Sequence, residues 1–202
     1  NAEQNAKATL DGVEGPAKAA YSAALSSAGS NFSNTSKAAD DAYNASVTAA
    51  STVQRDAERA ADQVAASNLE GPNEALWDAQ KTYMETTSDL MSEEMDCSMQ
   101  DPAPSPGTCD KSAEREAAED SYNAARKSYA MAEAAEARTA AETKANAAIQ
   151  FVTDEQAAAV TKVTAIATAQ TVLDQASAAA EDAYVSATAS AVAAYKSALA
   201  SS

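Results

Sequence analysis

From Lys111 to Ser202 the chain contains neither glycine nor proline, and roughly a quarter of all its residues are alanine. No other feature restricts the fold as strongly. Alanine has the best intrinsic helix propensity, because it loses no side-chain entropy on ordering and buries no polar group. Aromatic residues, which strands favour, make up only 5% of the chain. The expectation is an all-α fold. Alanine also buries little apolar area per residue, at about 25 cal/mol per Å². Stability therefore has to come from many turns of close contact rather than from a thick core. That predicts an elongated antiparallel helical bundle with two very long helices.

Where breakers do occur, they divide the chain. Asp11-Gly12 and Gly15-Pro16, then Gly71-Pro72, read as helix stops followed by helix starts, with proline suited to a first helical position. The predicted helices are residues 2–11, 16–68, 73–95 and 111–200, with a loop at 96–110, in a single domain spanning 1–202. The 73–95 helix is the shorter third member. Along 16–68, small or apolar residues recur at steps of three and four, including Tyr21, Leu25, Phe32, Val53 and Val64. Thr35, Ala39, Tyr43 and Val47 give three successive steps of four, which locally unwinds a left-handed supercoil. On 111–200 the predicted buried side carries Tyr122, Tyr129, Ile149, Val152, Val160, Val163, Ile166, Leu173, Tyr184 and Ala191. Helices this long need a partner face to be stable in water.

The net charge is −16 and histidine is absent. Binding phosphates requires clustered Lys and Arg, so nucleic acid is not an expected partner. Docking on an anionic leaflet is disfavoured for the same reason. Residues 71–110 carry nine carboxylates against the one cation of Lys81 and form the acidic pole. No apolar run approaches the length of a membrane span. The start at Asn1, without an apolar leader, reads as a processed mature region.

Cys97 and Cys109 are the only cysteines and bracket a stretch containing Pro102, Pro104, Pro106 and Gly107. The spacing matches neither a CxxC redox motif nor a zinc pattern. A disulfide closing the loop is the reading, against two free thiols, and it implies an oxidising compartment. With no histidine and no Gly-rich phosphate loop, no enzyme, metal site or cofactor is expected. The neighbouring carboxylates of Glu93-Glu94, Asp40-Asp41 and Glu181-Asp182 splay around a helix instead of converging. Trp77, Tyr83, Met84, Leu90, Met91 and Met95 lie at helical spacing and read as core rather than as a ligand groove. Asn31, Asn34 and Asn44 each begin an N-glycosylation sequon. Thr153 and Thr164 stand eleven apart, the spacing of some ice-binding helices, but position 175 is glutamine and the series stops.

Together, a secreted acidic Ala-rich chain, two very long helices with Gly-Pro breaks, and a disulfide-type loop resemble the surface coat proteins of kinetoplastid parasites. Segments such as Ala38-Ala39-Asp40-Asp41-Ala42-Tyr43 and Ala134-Ala135-Glu136-Ala137-Arg138 resemble the glutamic acid/alanine-rich protein of trypanosome insect stages and related alanine-rich proteins. The resemblance implies a scaffold similar to variant surface glycoproteins. It implies a coat protein on the extracellular face of the plasma membrane, held by a glycosylphosphatidylinositol anchor and packed against neighbouring copies of itself. Membrane contact would be through that lipid alone. The alternative is a helical-bundle receptor for a host ligand, which would need an exposed patch that the bundle leaves unburied. A secreted Ala-rich structural or ice-binding protein is third.

Overall fold

The computed structural model describes residues 2–100, 102, 104, 105 and 107–201. Pro106, named above in the loop, lies outside the described residues. Among the described residues the fold is two helices, α1 (Ala2–Ser98) and α2 (Ser112–Ala200), of 97 and 89 residues. No strand occurs among the described residues. The chain forms two compact units, one of Asn1–Ala50 with Val152–Ser202 and one of Ser51–Phe151. In each, a segment of α1 packs antiparallel to a segment of α2.

The breaks expected near residues 12–16 and 69–73 do not occur, and residues 73–95 form no separate third helix: α1 runs through both. An interior proline removes one hydrogen bond and crowds the carbonyl four residues back, at about 3 kcal/mol. Much of a proline's remaining conflict is with the Cβ of the preceding residue. Both prolines follow glycine, which has none. The inward face also continues past them, through Val13 and Ala17 in one case and Leu69, Pro72 and Leu76 in the other. Contact spread over many turns outweighs two local costs.

The first unit is organised by an eleven-residue spacing. Ala39 and Ala50 on α1 are buried, as are Ala169, Ala180 and Ala191 on α2. Between them the inward positions step by four, four and three, as in Ala39, Tyr43, Val47 and Ala50. Three turns per eleven residues is 3.67 residues per turn, which winds slightly right-handed, whereas a heptad winds left-handed. The steps of four around Ala39–Val47 are thus part of a regular repeat, and Ser36, not Thr35, takes the inward place. Cross-helix contacts include the rings of Tyr21 and Tyr184, 5.9 Å apart.

On α2 the repeat also overturns part of the predicted face. Val152, Val160 and Val163 are exposed, while Glu155 and Lys162 take the inward positions. Tyr43 explains the exchange. Its hydroxyl donates to Glu155 Oε1 at 3.3 Å, and Lys162 Nζ lies 5.1 Å from its ring centre while pairing with Asp40 at 2.7 Å. A thin seam leaves charged heads near water while their methylene stems cover the alanines.

The second unit contains Ala61, eleven residues beyond Ala50, and Leu90 as its buried apolar side chains. Val53, Val64 and Ile149, expected inward, are exposed, and the neighbouring Gln54, Ala65 and Ala148 face the seam instead. Lys144 pairs with Asp62 at 2.6 Å, and Asn68 donates to Glu136 at 3.1 Å. Approaching the turn, the inward steps change to alternating threes and fours, Tyr83, Thr87, Leu90, Glu94 and Cys97 on α1, facing Lys111, just before α2, and Arg115, Ala118 and Tyr122 on it. This end follows heptads.

Candidate docking surface

The turn of the second unit is where the most chemistry gathers. Cys97 and Cys109 form a disulfide with their Cα atoms 5.6 Å apart, so the pairing expected from sequence is present. Gly107 adopts φ +87°, a left-handed conformation that glycine enters without a Cβ penalty, and its carbonyl accepts from Asp110 N–H at 3.3 Å.

The first turn of α2 is held by carboxylates, as its unpaired N–H groups require. Asp110 Oδ1 accepts from Ser112 N–H at 2.8 Å, the capping role its position predicts. These hydrogen bonds from Ser112 hold the Asp110 carboxyl below its ordinary range. Glu94 accepts from Lys111 N–H at 2.8 Å and from Arg115 Nη1 at 2.6 Å. Glu93 pairs with Lys111 Nζ at 3.4 Å. That contact first, and the Glu114 carboxylate second, raise Lys111 above the usual lysine range. Glu93 and Glu94 therefore serve different cations, as adjacent helical residues must. Further along, Tyr83 and Tyr122 stack with centroids 5.4 Å apart, and Arg126 sits 5.8 Å from the Tyr122 ring centre.

Beside this braced turn lies the chief departure from the sequence reading. Of the six residues expected in the core, only Tyr83 and Leu90 face inward. Trp77, Met84, Met91 and Met95 are exposed, at 65%, 62%, 59% and 57%, and Met99 continues them past the helix end. The reason is register. Residues 76, 83, 90 and 97 occupy one heptad position facing α2, and 77, 84 and 91 occupy the next, about 100° around the helix. Two interleaved series of period seven were present in the sequence, and they mark two stripes rather than one. Isolated exposed apolar residues are ordinary, but this stripe contains the only tryptophan and four of the five methionines, which makes it a candidate interaction surface.

The remaining candidates are dispersed. Asn31, Asn34 and Asn44 are all exposed on the α1 segment of the first unit, and Asn31 borders a shallow cleft of about 450 Å³ with Phe32 and Val172. Thr164 returns its hydroxyl to the carbonyl of Val160 at 2.8 Å. Among the described residues no group of three or more potential metal ligands converges, and no helix is long and apolar enough to cross a membrane. Compared with models of known families, with curated proteins and with solved structures, the chain matches none.

Proposed function

We propose that this chain is an extracellular surface protein whose work is recognition, carried out by the exposed Trp77–Met84–Met91–Met95 ridge beside the disulfide-closed turn. One observation carries the reading: a large apolar ridge stays in water next to a turn braced by a disulfide and several ion pairs. Leaving four large apolar side chains exposed forgoes about 1.5–3 kcal/mol each relative to burial. A rigid support and an unburied ridge together are what a docking site needs. The disulfide fits an oxidising compartment.

The test is oxidative footprinting. Peroxide or hydroxyl-radical labelling of intact source cells is compared with labelling of the isolated chain. Docking at the ridge predicts protection of Met84, Met91 and Met95 on cells, with Met131, exposed on α2, still reactive. Equal oxidation of all four in both samples would overturn the reading.

A second reading is the lipid-anchored coat protein that the kinetoplastid resemblance implies, packed against copies of itself on the outer face of the plasma membrane. Two uninterrupted helices of 97 and 89 residues favour it. Here the decisive test is surface abundance and release. Dense antibody label shed by a phosphatidylinositol-specific phospholipase supports the coat; sparse label, or label retained while a control is shed, argues against it.

A further inference from the structure

We infer that the partner of the ridge presents a cationic amphipathic helix. This rests on reading the ridge as a docking surface, and it names the chemistry of what docks. Residues 77, 84 and 91 are seven apart, with Met95 and Met99 following at steps of four. At 1.5 Å per residue they mark an edge of about 33 Å. A helix laid alongside, with apolar residues at i, i+3, i+4 and i+7, meets such an edge along its length. Methionine suits that use, because its unbranched, polarisable side chain re-forms around different apolar shapes.

Charge selects among the helices that could lie there. Between residues 74 and 96 the chain carries seven carboxylates and one cation, Lys81. Glu74, Asp78 and Glu85 stand within one turn of the ridge residues. Glu93 and Glu94 are engaged by Lys111 and Arg115, and Lys81 reaches Glu85 only at 4.0 Å. Among the described residues Glu74, Asp78 and Asp96 form no ion pair. A second copy of this chain would bring the same acidic border against this one, and an anionic lipid surface would be repelled likewise. A helix whose apolar stripe is flanked by Lys and Arg satisfies both the ridge and its border, with electrostatics setting partner choice and association rate.

Trp77 is the only tryptophan, so its fluorescence reports contact at the ridge directly. The full chain, disulfide intact, is titrated with three tryptophan-free amphipathic peptides. They share one apolar face and carry Lys/Arg, Ser/Gln or Glu on the polar face. The expected result is a blue shift of Trp77 with the cationic peptide, at an affinity at least about tenfold above that for the anionic one and falling as salt is raised. The Met84→Gln/Met91→Gln chain should lose binding, and the Glu74→Lys/Asp78→Lys/Glu85→Lys chain should reverse the preference. All these positions are exposed, and circular dichroism checks that each variant keeps its helices. Equal binding of the three peptides overturns the charge inference and leaves the docking surface standing. No shift of Trp77 with any of them overturns the inference, and footprinting on cells then decides the surface separately.

Discussion

At the scale of single residues, the two units show how little a seam of alanine demands and how much depends on what flanks it. Gly29 lies inside α1 with nothing within 4 Å of where a Cβ would be built. Nothing in the packing requires glycine there, and its backbone entropy is a plain cost. Gly29→Ala is expected to stabilise by about 1 kcal/mol, read as a raised denaturation midpoint with an unchanged slope. Asp110 acts in the opposite sense. Its carboxyl titrates below the ordinary range because it accepts from Ser112, so its stabilising effect is present above the unfolded value and disappears as pH falls through the lower folded one. The start of α2 should therefore loosen below about pH 4. Amide exchange at the 111–115 backbone would show it, and Asp110→Ala should abolish that pH dependence. Such a cap is legible in sequence, because an aspartate directly before a long breaker-free run has one dominant use. Sequence reading failed at Tyr43, where an aromatic ring draws Glu155 and Lys162 inward, because no one-helix pattern contains a contact across 112 residues of chain.

At the scale of elements, the central result is continuity. The existence of long helices was legible from composition, and the disulfide from two cysteines bracketing a proline-rich stretch. The breaks were not, because Gly-Pro reads as a stop when taken locally while the glycine before each proline is also what eases its passage. Continuity makes a prediction that a break would reverse. If Pro72 sits within a helix, Pro72→Ala restores a hydrogen bond and removes a clash, raising stability by up to about 3 kcal/mol. If Pro72 began a new helix, the substitution would be neutral or harmful. Thermal or urea unfolding distinguishes the two. Which face of each helix is buried was only half legible. A three-and-four count tolerates both heptads and the eleven-residue repeat, and these diverge within a few turns. That divergence turned Val160 and Val163 outward and separated Trp77, Met84 and Met91 from Tyr83 and Leu90.

At the scale of the whole molecule, charge distinguishes the units. Residues 51–151 hold twenty carboxylates against nine cations, and the remainder ten against five. Most ion pairs here are substantially exposed, and such pairs contribute about 0–1 kcal/mol each. They do not offset a net −11 in one unit and −5 in the other. Screening of self-repulsion should therefore outweigh screening of the pairs. The melting temperature is expected to rise as salt goes from about 10 mM to 150 mM; a fall would show that the pairs dominate. The same acidity makes the exposed ridge selective rather than merely adhesive.

Recognition at the ridge requires that Trp77 lie outside the packed seam, where it is 65% exposed. Its emission and its quenching by acrylamide, in the folded, disulfide-intact chain at low concentration, test this most directly. The expected result is a solvent-exposed spectrum, quenched nearly as readily as in the urea-unfolded chain, with helical circular dichroism intact. A blue-shifted, poorly quenched Trp77 in the isolated chain would return the ridge to the core and remove the docking surface.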